Sequence, residues 1–398
     1  MLSQTLSYIP PDAIFKLTEL YNTDSDPRKV NLGQGTYKDE FGKPFILPAV
    51  KTAKSRLEGA NHEYLPILGL PSLRLSASRL LFGDEHPAIV TGRVACSQSL
   101  SGTGALHLGG AFLRRVCDKS SIVYITDPSW SNHKAVFESV GFPVKSYRYL
   151  DDRGALDMEN LVAVLKEAQP GSVFILHACA HNPSGRDPTQ EQWLQIADIM
   201  QERSLFPVFD AAYLGMAGAD FDSDAFAIRH FAERMEIGVC LSFAKIMGLY
   251  GERTGIVAFV SQHAGGSRVI ESHLEQLQRA EISNPPAFGA RVVAEVLGDE
   301  TLQAQWRSDL GGISSRLGQM RRKLVNELND SGCPKPFEHI RQQVGMFGIL
   351  GLSLEQVFLL REKYHIYMAD SSRVSIAGLN EGNVKYVAKA IAEVCSGI

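Results

Sequence analysis

Five short runs between residues 121 and 260 constrain the fold most. They are SIVYIT (Ser121–Thr126), SVFILHA (Ser172–Ala178), LFPVFD (Leu205–Asp210), GVCLSF (Gly238–Phe243) and GIVAFV (Gly255–Val260). None alternates between apolar and polar residues. A strand with one face in water alternates, so these runs read as strands buried on both faces, the signature of a sheet covered by helices. Amphipathic helical patterns lie between them. One starts at Thr189, where Thr189 and Gln192 have capping-box spacing and Trp193, Ile196, Ala197 and Met200 fall on one face. Strands alternating with helices predict an α/β domain with a mostly parallel sheet. After Leu302 the period changes. Leu302, Trp306, Leu310, Ile313, Leu317, Met320, Leu324 and Leu328 are spaced by threes and fours, which predicts one long helix with a kink at Gly311–Gly312. The remainder to Ile398 reads as a smaller α+β domain. At 398 residues the chain has material for both.

In open α/β sheets ligands bind beyond the carboxyl ends of the strands. Asn182, Asp210, Tyr213 and Lys245 all fall there. Upstream, SLSGTGALHLGG (Ser99–Gly110) is a small, glycine-rich loop that turns helical, and the free N–H groups of a helix start suit a phosphate. It lacks the Gly-Lys-Ser/Thr of a P-loop and the glycine spacing of a dinucleotide site. Each feature alone has another reading: tight helix packing for the loop, a snorkelling side chain for Lys245, a helix cap or a metal ligand for Asp210, surface charge for Arg253 and Arg373. His177 and His181, four apart, sit at a strand end rather than on a helix and read as packing or hydrogen-bonding residues, not a metal pair. Together the features fit pyridoxal phosphate. That cofactor needs a lysine for its imine, a carboxylate for its pyridine nitrogen and a cradle for its phosphate.

The motifs NHEYLPILGL, SLSGTGAL, DPSWSNH, HACAHNPSG, FDAAY, SFAK followed by GLYGERTG, SNPPAFGAR and SSRVSIAGL occur in this order along nearly the whole chain. The sequence resembles the aspartate aminotransferases of the eukaryotic type, which are fold-type-I pyridoxal-phosphate transferases of amino-acid metabolism. The resemblance implies ping-pong transamination of L-aspartate with 2-oxoglutarate through a Schiff base on Lys245. Asp210 would pair with the pyridinium nitrogen, Tyr213 and Asn182 would bond the phenolic oxygen, and Trp130 would stack on the ring. Ser101, Gly102, Thr103, Ser242 and Arg253 would hold the phosphate. Arg373 would clamp the substrate α-carboxylate, supported by Trp130 and Asn182, with Gly35 over it. The family's sites are shared across a homodimer. Tyr64 would reach the partner's phosphate, and Arg279, with Ser283 nearby, would bind the distal carboxylate in the partner's site. The implied organisation is an arm over residues 1–10, a large cofactor-binding domain over 45–312, and a small domain made of 11–44 and 313–398 that closes over dicarboxylic substrates.

Gln34, Ala244, Ile246, Met247, Glu281 and Ile282 depart from the family pattern. Glu281, two residues from Arg279, would weaken the field for a distal carboxylate if both faced one pocket. These departures leave a second reading open: a divergent paralogue that transaminates, decarboxylates or β-eliminates a modified acidic amino acid. A third, a non-catalytic scaffold, is opposed by the presence of both Lys245 and Asp210.

Composition removes other classes. A net charge of −4 and a pI near 6.3 give no basic face for nucleic acid or anionic membranes. No apolar run is long enough to span a bilayer. The N-terminal residues carry no basic or arginine-rich leader, and the six cysteines form no C-x-x-C pair. The expectation is a cytoplasmic enzyme with no metal.

Overall fold

In the computed structural model, which describes residues 7–218 and 220–397, the chain divides into two compact units. The larger comprises Phe45–Gly318 and Gln343–Gly345; the smaller comprises the chain up to Pro44, Gln319–Gln342 and the segment from Met346 onward. The arm expected over residues 1–10 lies, for its first six residues, outside the described residues. Tyr8 and Ile9 are exposed.

The larger unit is built on a seven-stranded sheet: β1 (Val94–Leu100), β2 (Val123–Asp127), β3 (Val144–Arg148), β4 (Val173–His177), β5 (Phe206–Ala211), β6 (Ile237–Ser242) and β7 (Thr254–Val260). Their spatial order is β1-β7-β6-β5-β4-β2-β3. All five apolar runs are strands. The pairs joining β3, β2, β4, β5 and β6 are parallel, but β7 runs antiparallel to both neighbours. The sheet is therefore mixed. Only residues 243–253 separate β6 from β7, too short a link for the helical crossover that a parallel neighbour requires. The strands that lack an apolar run, β1 and β3, are the two edges; β3 buries only Tyr147 and exposes Lys145, Ser146 and Arg148.

The glycine-rich segment is less of a loop than its composition suggests. Ser99 and Leu100 finish β1, and the helix Ser101–Val116 starts at once. Its glycines allow close packing. A Cβ on Gly109 would lie 3.2 Å from Val257, and one on Gly110 3.2 Å from Phe137. The core lies between this helix and the sheet, where the rings of Phe112 and Phe259 stand 4.8 Å apart.

The helix Gln190–Glu202 carries the capping box read from Thr189 and Gln192, and buries Trp193, Ile196, Ala197 and Met200. The long helix, Glu300–Asp330, runs unbroken through Gly311 and Gly312 and buries all eight residues of its predicted stripe. Neither glycine removes a backbone donor, so the helix continues across the pair where a kink was expected.

The smaller unit pairs Val30–Asn31 with Ile366–Tyr367 in parallel, and Phe347–Ile349 with Arg373–Ser375 antiparallel. The helices Ala13–Thr23, Leu354–Tyr364 and Val384–Cys395 accompany these ribbons.

Candidate active site

The carboxyl ends of β4, β5 and β6 meet at one cavity. Strand register sets His177 of β4 beside Asp210 of β5. Ser242 closes β6, and Lys245 follows in the short helix Phe243–Ile246. The cavity holds about 460 Å³ of empty space. Ser101, Gly102, Thr103, Trp130, Asn182, Asp210, Tyr213, Ser242, Lys245 and Arg253 line it, together with His177 and Ala212. Ten sequence-predicted residues, drawn from separate parts of the chain, therefore converge.

Ser101 and Ser242 form one wall. Their hydroxyl oxygens are 2.8 Å apart, and Ser242 Oγ also accepts the Ala244 N–H at 3.2 Å. Ser101 has φ 60°, a left-handed turn that passes the chain from strand to helix. The approach of these backbones leaves no room for side chains. A Cβ on Gly102 would sit 3.2 Å from Ser242 Cβ, and one on Gly255 would sit 2.5 Å from the Leu241 carbonyl and 2.8 Å from the Ser101 carbonyl carbon. Arg253, exposed and also at positive φ, reaches the cavity from the turn before β7.

Asp210 is buried. His133 Nε2 donates to its Oδ2 at 2.9 Å, and His133 Nδ1 meets Ser129 Oγ at 2.9 Å. Burial pushes the Asp210 carboxyl up, but the bond and charge of His133, with His177 and Lys245, outweigh it and hold the group below its usual value. Burial lowers the basicity of Lys245; Asp210 opposes the shift and Arg253 adds to it. Lys245 Nζ stands 5.5 Å from the centre of the Tyr213 ring. Trp130 packs edge-on against His133 with centroids 5.2 Å apart.

Two functional candidates were missed in the sequence. His133 stands three residues after Trp130, in a motif that suggested no role for it, yet it is the direct support of Asp210. His177, read as packing, lines the cavity. Its Nδ1 accepts the Asn182 N–H at 3.2 Å, which leaves the proton on Nε2, and Nε2 has no partner among the described residues. Burial, then His181 and His133, hold His177 well below the usual histidine value, so the ring is neutral. His181 remains structural, bonded to Thr126 and Ser184. No group of three or more potential metal ligands occurs among the described residues.

The other predicted residues lie elsewhere. Tyr64 is 87% exposed. Arg279 is exposed near the end of the helix Ala264–Glu281 and bonds Ser283. Gly35 and Arg373 belong to the smaller unit. There Arg373 stacks over Phe347, 4.4 Å from guanidinium carbon to ring centre, and Nη2 donates to the Gly33 carbonyl at 2.7 Å. Gly35 rests on the same ring; a Cβ would meet Phe347 Cζ at 2.9 Å.

The departures also find their places. Ala244, Ile246 and Met247 are core residues, and the Ile246 carbonyl accepts from Trp306 Nε1 at 2.7 Å. Glu281 Oε1 lies 3.2 Å from His107 Nδ1. Gln34 Nε2 is 3.4 Å from Thr18 Oγ1.

Residues 27–391 match the family model for class I and II aminotransferases. The cytoplasmic aspartate aminotransferase of Schizosaccharomyces pombe is 45% identical over 95% of this chain and 94% of that protein. Among solved structures, the cytoplasmic aspartate aminotransferase of Saccharomyces cerevisiae superposes with a TM-score of 0.97 at 42% identity, covering 100% of this chain and 99% of that one. An aromatic-amino-acid aminotransferase of Burkholderia pseudomallei, covalently bound to pyridoxal phosphate, superposes with a TM-score of 0.96 at 39% identity over 99% of each chain.

Proposed function

The chain belongs to the class I and II aminotransferases, and from that premise we propose that it transfers the amino group of L-aspartate to 2-oxoglutarate, giving oxaloacetate and L-glutamate. The observation that carries the proposal is the convergence of Lys245, Asp210 and the Ser101–Ser242 wall on one cavity. Pyridoxal phosphate fits the residues present. The wall is one that a Cβ on Gly102 or Gly255 would crowd, a buried carboxylate stays charged opposite it, and His177 offers an unpartnered N–H. Ser101, Gly102, Thr103, Ser242 and Arg253 would hold the phosphate, Asp210 the ring nitrogen, Asn182 and Tyr213 the phenolic oxygen, and Trp130 the ring face. Bound there, the cofactor supplies an electrophilic carbon for amines and a ring that withdraws electrons from the substrate Cα.

The protein's own contribution is proton handling and orientation. Burial makes Lys245 less basic, so more of it is the neutral amine that takes a proton from the substrate Cα and returns one. His133 fixes Asp210 in its charged form and in one rotamer. Arg373, braced on Phe347 and the Gly33 carbonyl, offers a planar fork for the α-carboxylate. Tyr64 and Arg279 point to a homodimer with shared sites: both are exposed on their own chain, and each would serve its partner's site. Arg279 would select a distal carboxylate.

The placements favour aspartate over a modified acidic amino acid. Glu281 faces His107, Gln34 reaches Thr18, and Ala244, Ile246 and Met247 are packing positions. The cytoplasmic relative supports the cytoplasmic location expected from the sequence, and fractionation would separate it from an organellar pool.

The test is a half-reaction. Cofactor-loaded protein given L-aspartate without a keto acid is expected to lose its visible absorbance band and regain it on addition of 2-oxoglutarate. Lys245→Ala should retain cofactor but not convert. A band that L-aspartate leaves unchanged overturns the proposal.

A further inference from the structure

Between β4 and the helix Gln190–Glu202, three successive backbone N–H groups are held by side chains instead of by secondary structure. Asp187 accepts the Ala180 N–H at 2.6 Å through Oδ2 and the His181 N–H at 2.9 Å through Oδ1, and His177 Nδ1 accepts that of Asn182. Ala180 stands at φ 49°, where a non-glycine residue is rarely found. Its methyl is confined as well: a Cβ on Gly345 would lie 2.4 Å from Ala180 Cβ. Such a turn persists only where its surroundings impose it, and the Asp187 carboxylate does so here. The loop after Tyr213 repeats the device. Buried Asp224 accepts, through Oδ2, the N–H of Gly215 at 2.8 Å and of Ala217 at 3.1 Å. Gly215 has φ 81°, and a Cβ on it would lie 2.4 Å from Leu310 Cδ2. Asn182 and Tyr213 line the cavity; the two aspartates do not.

We propose that Asp187 and Asp224 are positioning residues, each fixing the backbone beside one of the two side chains, Asn182 and Tyr213, assigned above to the cofactor's phenolic oxygen; the inference rests on that assignment. Both loops leave the carboxyl ends of neighbouring strands, β4 and β5, so neither has a ladder of its own to hold it. A carboxylate that takes two backbone N–H groups supplies what the ladder would have supplied, and does so one or two residues from the side chain that must be aimed. N–H and O–H donors at the phenolic oxygen stabilise its charge and ease loss of the proton it shares with the Lys245 nitrogen. A donor that drifts from its aim loses that effect, because a hydrogen bond weakens steeply with angle. The aspartates therefore act on the proton at Lys245 without touching the cofactor.

Full-length, cofactor-loaded protein would be titrated by absorbance across pH as wild type, Asp187→Asn, Asn182→Ala and the double variant. Asparagine keeps the shape of Asp187 but only one of its two acceptor atoms, so one of the two N–H bonds is lost. D187N should raise the pH midpoint of the visible band by roughly half to one unit, the equivalent of one hydrogen bond. It should add nothing in the N182A background, because Asp187 acts through Asn182. Asp224 uses a single oxygen, which asparagine would retain, so its variant is Asp224→Ala. D224A should raise the midpoint likewise and add nothing to Tyr213→Phe. A D187N midpoint equal to that of wild type, or a D187N shift that adds in full to that of N182A, overturns the proposal. An N182A protein that titrates like wild type instead removes Asn182 from the phenolic oxygen, and the premise with it. If D187N does not fold, D224A against Tyr213→Phe decides by the same criteria.

Discussion

Replacing His133 with alanine isolates the support of Asp210 from the rest of the site. The ring is fully buried and its Nε2 donates to Asp210 Oδ2 at 2.9 Å. A hydrogen bond to a charged group contributes about 1.5–3 kcal/mol. If that contribution is realised when Asp210 holds the cofactor's ring nitrogen, the dissociation constant for pyridoxal phosphate should rise roughly 10- to 150-fold. The effect should depend on pH. Asp210 is held below its usual value, so its charged form contributes above about pH 4 and the contribution is lost as pH falls through the depressed value. Without His133 the burial that pushes the carboxyl up is less opposed, so the loss should begin at higher pH. Titration of apoprotein with cofactor, followed by absorbance across pH, measures both effects. His133→Gln, which retains an N–H donor, should recover much of the affinity at alkaline pH. An alanine variant that binds like wild type at every pH would refute the role assigned to His133.

Two further substitutions probe selectivity and packing. Arg279→Ala should lower kcat/KM for aspartate by about 2–4 kcal/mol in transition-state terms, through loss of a charge-assisted bond, while an apolar amino acid is little affected; equal losses for both would remove Arg279 from the distal clamp. Gly255→Ala should destabilise the apoprotein by about 3 kcal/mol or more, because the new Cβ would lie 2.5 Å from the Leu241 carbonyl and 2.8 Å from the Ser101 backbone, neither of which is a flexible side-chain end. An unchanged urea midpoint would refute it.

The central strands were legible because burial on both faces removes alternation, and the long helix because its stripe persists over eight positions. The edges were not. β1 carries Ser97, Gln98 and Ser99, and β3 carries charges, so neither shows an unbroken apolar run. The direction of β7 was hidden for a different reason: it depends on the length of a link, not on the strand's own residues. His133 left no local signal because its partner is 77 residues away. Glu281 raised the opposite question, whether it shares a pocket with Arg279; both lie on one helix, where residues two apart point about 200° apart, and Glu281 meets His107.

The site's two tasks rest on differently placed residues, which explains why one was easier to read. The groups proposed for cofactor chemistry stand at or just beyond strand ends of a single sheet, so strand order alone brings Asp210, Ser242 and Lys245 together. Buried neighbours then tune them: His133 lowers Asp210, and desolvation lowers Lys245. The groups proposed for substrate choice are not on that rim. Arg373 and Gly35 are organised around Phe347 in the smaller unit, and Arg279 is exposed at a helix end beside Ser283. An exposed arginine that is to confer selectivity needs a second surface to remove it from water, since an exposed ion pair contributes about 0–1 kcal/mol. Selectivity for a dicarboxylate at Arg279 therefore rests on the proposed dimer, and Arg279→Ala should matter only where such a dimer forms.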